Sequence, residues 1–193
     1  NAQGLQYEFN NDTAYFKNSI EDDSALESSG TRIYNQLAMR YNYITPSWFY
    51  AIPEVSVRTV DTFYDQDSQN GRGLSSDDLE KSVVVPQLSF ATGITFEKEG
   101  KYLQSISPRA FYAYAPYRNQ ENHPNFDTTT ASISYDQLFN PYRFYGHDRL
   151  DDNNFLSLGV SYNLIDPEGL ERIRASVGQS YYFSDRRVSL NQQ

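Results

Sequence analysis

Between Asn154 and Ile165 apolar and polar residues alternate strictly: Leu156, Leu158, Val160, Tyr162 and Leu164 fall on one side, Ser157, Gly159, Ser161 and Asn163 on the other. A period of two is that of an extended strand, whose successive side chains point to opposite faces. Asp166-Pro167-Glu168-Gly169 then supplies a tight turn. The returning segment sets Ile173, Ala175, Val177, Tyr181 and Phe183 against Arg172, Arg174, Ser176, Gly178 and Ser180, with Gln179 interrupting the apolar side.

The same division recurs upstream. Ile33, Leu37, Met39, Tyr41 and Tyr43 oppose Arg32, Gln36, Arg40 and Asn42. After a turn at Thr45-Pro46-Ser47, a partner strand beginning at Trp48 sets Val55 and Val57 against Glu54, Ser56 and Arg58. Leu88, Phe90, Ile94 and Phe96 oppose Gln87, Ser89, Gly93, Thr95 and Glu97, and beyond Glu99-Gly100-Lys101 the set Tyr102, Ile106, Ala110, Tyr112 and Tyr114 opposes Ser105, Ser107 and Arg109. A first strand near Leu5 to Lys17 is predicted to change register at Asn10-Asn11. Pro53, Pro86 and Pro108 fall inside predicted strands; each removes a ladder donor and is expected to mark a bulge or kink. About seven antiparallel strands result.

Short turns at residues 45–47, 99–101 and 166–169 alternate with long polar segments near 18–30, 65–81 and 118–153. Two of these are acidic, one with Glu21, Asp22, Asp23 and Glu27, the other with Asp65, Asp67, Asp77, Asp78 and Glu80. Outer-membrane barrels show this asymmetry of short periplasmic turns and long extracellular loops. Tyr41, Tyr43, Trp48, Phe49, Tyr112, Tyr114, Tyr181, Tyr182 and Phe183 cluster near strand ends, as interfacial aromatic girdles do.

Composition sharpens this picture. Only 38% of the 193 residues are hydrophobic, yet 16% are aromatic, with 17 Tyr and 12 Phe, a mixture that disfavours both an ordinary soluble core and disorder. No run approaches the roughly 18 to 20 apolar residues of a membrane helix, so a closed barrel is the remaining membrane architecture. A net charge of −9 argues against nucleic acid as a partner. The absence of cysteine removes disulfides and thiolate metal sites. Asn1 opens directly into strand-like sequence, as expected of a processed chain or an internal fragment. The fold class expected is all-β: an antiparallel transmembrane β-barrel segment, about seven strands of a larger barrel, forming one partial domain over residues 1–193. A soluble β-sandwich binding module is the alternative, disfavoured by the Arg and Gly opposite the apolar set.

From Pro108 onward specific motifs appear. Pro108-Arg109, then Tyr112 to Gln120 ending in Pro116-Tyr117-Arg118-Asn119-Gln120, are followed by Phe126-Asp127-Thr128, Tyr135-Asp136-Gln137-Leu138-Phe139, Arg143-Phe144 with Gly146 and Asp148-Arg149, and finally Gly178-Gln179, Tyr182-Phe183 and Asp185-Arg186-Arg187. This ordered set resembles the LPS-assembly protein family, LptD, over about eighty residues; the first hundred agree in rhythm alone. Tyr142, Tyr145 and Asp152-Asn153-Asn154 depart from the family pattern. The resemblance implies a large barrel that inserts lipopolysaccharide into the outer leaflet of a Gram-negative outer membrane. It also implies a lipoprotein plug, LptE, a jellyroll domain absent from this chain, a periplasmic bridge protein, LptA, reached through that jellyroll, and contact with outer-membrane lipids. A generic diffusion porin is the alternative function.

Phe126, Asp127, Tyr135, Asp136, Gln137, Arg143, Asp148 and Arg149 all lie in the longest loop. A polar network fixing the loop's shape accounts for them; direct contact with the plug or with lipopolysaccharide is the sharper alternative. Arg32, Arg40, Arg58, Arg109, Arg172 and Arg174 are expected to face the lumen. There they either pair with acids such as Glu54 and Glu97 or meet phosphates of a passing glycolipid. His123 and His147 are the only histidines, and no serine stands in a nucleophile motif. No catalytic residue, metal or cofactor is therefore expected.

Overall fold

The computed structural model describes residues 3–17, 29–46, 48–64, 80–120 and 123–190. They form β1 (Gly4–Phe16), β2 (Gly30–Ile44), β3 (Tyr50–Tyr64), β4 (Glu80–Gly93), β5 (Phe96–Lys98), β6 (Leu103–Ala115), β7 (Thr129–Thr130), β8 (Phe144–Tyr145), β9 (Asn153–Ile165), β10 (Glu171–Tyr182) and a 3-10 turn at Asp136–Phe139. The large sheet is antiparallel in the order β1-β2-β3-β4-β6-β9-β10, with β5 also on β6. Strands β4 and β5 occupy one position, since Gly93 opposite Arg109 and Phe96 opposite Ile106 keep one register. The sheet thus has the seven strand positions that alternation predicts. Strands β7 and β8 are a small pair inside the long connection. Strands β1 and β10 are unpaired edges, so the sheet does not close on itself, and no second large sheet opposes it among the described residues. Residues 18–28 and 65–79, the greater part of the first two long polar segments with their acids at 21–27 and 65–78, lie outside the described residues, whereas Glu80, expected in the second segment, opens β4.

Ladder partners share a face, so the registers can be read as rows across the sheet. One row is Tyr7, Met39, Val55, Leu88 and Tyr114; another is Phe9, Leu37 and Val57 with Pro86; a third runs Pro53, Phe90, Tyr112, Leu156 and Tyr181. Their large apolar members apart from the half-buried Leu156 are exposed, several by more than half. We call this the open face. Toward the long connections it ends in a polar row, where Asn11 donates to Asn35 (2.7 Å) and Asn35 to Thr59 (3.4 Å).

The opposite face is covered. Residues 116–120 and 123–152 fold back over it, so that Leu150 packs with Tyr34, Val60, Val83, Val85 and Ala115, and Phe139 packs against Phe111, Ala113 and Phe155. Arg32, Ser56, Arg58, Thr62, Gln87 and Ser157 are buried there. This face carries both the core and the candidate site.

Four sequence expectations change. Strand β1 keeps one register from Gly4 opposite Asn42 to Phe16 opposite Gly30, so no shift occurs at Asn10-Asn11. Trp48 sits in the turn with φ 60 rather than opening β3; Thr45 bonds Phe49 across that turn (2.8 Å). Pro53 and Pro86 pair in register with Phe90 and Val57 without bulges, their rings on the open face. Pro108 accepts from the amide of Ile94 (3.2 Å) but has no N–H to return, which leaves the gap at Ile94-Thr95 that separates β4 from β5. The irregularity lies instead between Glu171 and Ile173 in β10, where Arg172 is the extra residue.

Candidate functional site

Asp148 organises the segment that carries the motifs. Its Oδ2 accepts from the amides of Phe126 (2.9 Å), Asp127 (2.9 Å) and Thr128 (3.1 Å) and from the Thr128 hydroxyl (2.9 Å). Its Oδ1 accepts from Arg32 of β2 (2.8 Å). Three consecutive amides converging on one carboxylate fold residues 126–128 into a tight nest, and Arg32 ties that nest to the sheet. Arg32 also meets Asp127 (2.5 Å) and lies over Phe16, which stacks on Phe126 at 4.6 Å. Gly146, at φ 97, is needed here: a Cβ would lie 2.6 Å from the Thr128 hydroxyl.

Arg149 points the other way and donates to the carbonyls of His123 (2.7 Å) and Pro124 (2.8 Å). The Gln120 side chain acts as a local strand partner, donating to Leu150 O and accepting from Leu150 N, both at 2.8 Å. Arg143 then joins Asp151 (3.1 Å) to Asp152 (2.9 Å), and Asp152 accepts from the amides of Arg187 (2.6 Å) and Val188 (3.2 Å). The C-terminal Asp185-Arg186-Arg187 segment is thereby fastened to the start of β9. The family departure at Tyr142 is structurally occupied: its ring lies 4.8 Å from the Arg58 guanidinium and its hydroxyl accepts from Gln36 (3.0 Å).

The 3-10 turn sits over β9 and β10. Arg109 of β6 reaches up between the Phe139 and Tyr135 rings (3.7 and 4.3 Å to their centroids) and pairs with the exposed Asp136 (2.7 Å). Gly159 and Gly178, opposite one another in the β9–β10 ladder, form the seat. A Cβ on Gly159 would come within 2.6 Å of Phe139, and one on Gly178 within 2.9 Å of Leu138. Gln137 holds the far side through the Tyr142 carbonyl (2.5 Å).

Of the arginines expected in the lumen, Arg32, Arg58 and Arg109 are brought together with loop acids. Arg58 meets Gln87 (2.9 Å) and, more distantly, Asp151 (3.9 Å). Arg40 stays within the sheet, bonded to Glu8 and 3.4 Å from Glu54. Arg172, displaced by the bulge, reaches Asp166 in the adjoining turn (2.7 Å), and Arg174 pairs with Glu171 (2.7 Å). Neither of these two contributes to the loop network. Sequence reasoning named Thr128 within the Phe126-Asp127-Thr128 motif but missed Asp151 and the glycine seat. The only signal for them was a run of acids beside β9 and two glycines on the polar face.

Titration follows this geometry. Burial alone would raise the Asp148 carboxyl, but the Asp127 amide and the Arg32 guanidinium overcome it and hold its pKa below the ordinary range. Asp151, more deeply enclosed, is pushed up by burial despite Arg58 and Arg143. His123 is driven down to about 4 by burial and then by Arg149, so it is neutral at pH 7. His147, stacked on Tyr34 at 3.9 Å, is lowered by burial and by Arg32. The arrangement anchors a loop; neither histidine is paired with a nucleophile.

The family model for LptD, described as LPS transport system D, matches residues 1–193. The chain belongs to the LptD family. It is 74% identical over 193 residues to the LPS-assembly protein LptD of Acinetobacter baumannii, covering 100% of this chain and 24% of that protein. It is 68% identical over 193 residues to that of Acinetobacter baylyi, covering 99% of this chain and 23% of that protein. With the LptD of Pseudomonas aeruginosa it shares 38% identity over 172 residues, 84% of this chain and 18% of that protein. The chain thus spans about a quarter of the length of its Acinetobacter relatives. The match also covers the first hundred residues, where motifs alone were weak. The family is described as LPS transport system D, and these relatives are named LPS-assembly proteins.

Proposed function

We propose that this chain is a stretch of transmembrane β-barrel in the outer membrane of a Gram-negative bacterium, and that within the full-length protein it helps insert lipopolysaccharide into the outer leaflet. The observation that carries this reading is the sheet's two-sidedness. Along β10 the open face runs from Ile173 to Phe183, broken by Gln179 alone. That is about 33 Å of strand, and at the roughly 45° tilt of barrel strands it spans about 23 Å, close to the apolar band of such barrels. The covered face is polar, with its arginines paired. Lipopolysaccharide, outer-membrane lipids, the plug LptE and, through a jellyroll in the remainder of the protein, the bridge protein LptA are the partners this role requires.

A folded connection over the polar face sets this role apart from an open diffusion porin, whose lumen stays clear. It also decides where to test. Ser157 lies under the loop, bonded to the Leu138 carbonyl and to Ser180 (2.6 Å), whereas Ser161 lines a cavity of about 430 Å³ with Asn163, Arg174 and Ser176. A photo-crosslinking residue at Ser161 of the full-length protein in cells is expected to capture lipopolysaccharide or the plug, and one at Leu158 membrane phospholipid. Capture of neither class at Ser161, with Leu158 still reaching lipid, would leave a barrel without this transport role.

A further inference from the structure

On the open face, midway along β2 to β4 and beside the end of β6, the apolar surface is indented. The groove encloses about 550 Å³ and is lined by Leu37, Met39, Val55, Val57, Leu88 and Tyr114, with Pro86 and Pro116 at its loop-side wall. Its floor reaches Ala38, Ser56 and Gln87, whose side chains belong to the other face. The depth has a cause in the sequence: Val55 and Val57 are short beside Leu37, Met39 and Leu88, and the compact rings of Pro86 and Pro116 do not bridge the gap.

One cation stands at the loop end of this groove. Arg118 lines an adjoining depression together with Val57, Val84 and Pro86, and its Nε donates to the Val84 carbonyl (3.3 Å). Among the described residues no carboxylate pairs with its guanidinium, and the side chain is exposed. The arginines that the sheet itself presents on the covered face, Arg32, Arg40, Arg58 and Arg109, each have an acid partner by contrast. Arg118 also sits level with the Asn11, Asn35 and Thr59 row, where the open face turns from apolar to polar. A guanidinium held through Nε, with no carboxylate partner among the described residues, at an apolar-to-polar boundary and beside a groove lined by carbon, matches an acyl chain carrying an anionic phosphate.

We propose that this groove and Arg118 form a binding site for a membrane lipid with a phosphate monoester headgroup, the chain lying along Val55, Val57 and Leu88 and the phosphate accepting from Arg118. The inference rests on the membrane-spanning reading above. The site is on the outer surface of the sheet, apart from the loop network and the polar face.

The test uses the full-length protein in phosphatidylcholine vesicles, with a photo-crosslinking residue at Leu37 on the groove rim and a trace of radiolabelled phosphatidic acid or radiolabelled phosphatidylcholine. Phosphatidic acid should be captured about tenfold more efficiently, the ratio expected for one charge-assisted hydrogen-bonded contact. Arg118→Ala should abolish that preference and Arg118→Lys retain part of it, while Val57→Trp, which fills the groove, should lower capture of both lipids. Equal capture of the two lipids by the unaltered protein, or a preference that survives Arg118→Ala, overturns the headgroup site and leaves the barrel standing. Capture of neither lipid overturns both.

Discussion

Replacing Asp148 with alanine tests the site most directly. The substitution strips one acceptor from three backbone amides and the Thr128 hydroxyl, and removes one of the two acids that meet the buried Arg32. Breaking a buried ion pair from one side costs about 3 to 5 kcal/mol. Each buried amide left without a partner adds about 1 to 3 kcal/mol, less wherever water enters. Arg32 keeps Asp127, which is nearly half exposed and lets water reach the vacancy, so the lower end applies: about 4 kcal/mol, almost all of it in the closure of residues 123–128 onto β2. At about 1.4 kcal/mol per factor of ten, this is roughly a thousandfold loss of protection. Hydrogen exchange of the Phe126, Asp127 and Thr128 amides in the full-length protein reads it out, with exchange in β9 as the internal control. Asp148→Asn, which keeps an acceptor but turns an amide group toward Arg32, should fall between. If the three amides of Asp148→Ala stay protected to within tenfold of the native protein, Asp148 does not hold the loop.

The same segment should respond to acid through His123. Its folded pKa lies near 4, below the ordinary 6.5, so the open loop takes up a proton that the closed loop refuses. Closure is therefore at full strength above pH 6.5 and weakens as pH falls toward 4, by about 3 kcal/mol over the whole window; the protection factors of residues 123–128, taken against the intrinsic exchange rate at each pH, should fall from pH 7 to pH 4, and His123→Gln should flatten that dependence. Gly159→Leu drives side-chain atoms into Phe139 and Tyr135 and should dislodge the 3-10 turn at a cost of about 1 to 3 kcal/mol; proteolysis near Gln137 should quicken while the β-sheet circular dichroism signal is unchanged. Arg143→Met should release the C-terminal segment from β9, seen as faster exchange at Arg187 and Val188 with no change at Phe126.

The strands were legible because each carries a two-residue period with one face polar, and burial follows that division from Arg32 and Tyr34 through Ser157. Prolines misled the reading for a definite reason. Pro53 and Pro86 were expected to bend the ladder, yet a missing N–H breaks a ladder only where its partner needs that donor, as at Pro108 opposite Ile94. Register in β1 was misjudged at Asn10-Asn11 because polar residues on the open face look like a change of phase. In the sheet they are a rim, with Asn11 bonded to Asn35. The loop was legible only as a list of motifs. Nothing in the spacing from Arg32 to Asp148, 116 positions apart, says that they meet; the alternation placed Arg32 on the polar face and left its partner open.

That pairing explains why a polar face can serve as the buried side of this sheet. A single sheet cannot hide its polar side chains against a second sheet without leaving them unsatisfied. Here the covering layer is itself polar and irregular, so the sheet arginines it covers meet loop acids, Asp127 and Asp148 for Arg32, Asp136 for Arg109 and, more distantly, Asp151 for Arg58, while the loop's own buried Arg149 is satisfied by backbone carbonyls. Apolar contacts fill the spaces between, with Leu150 and Phe139 as the two inserted side chains. The open face needs no such layer if hydrocarbon surrounds it, and the one place where it is both grooved and charged, at Arg118, is where a bound lipid would differ from a passing one. Loss of the loop and loss of the lipid preference should therefore be separable: Asp148→Ala should free residues 126–128 without altering capture at Leu37, and Arg118→Ala should do the reverse.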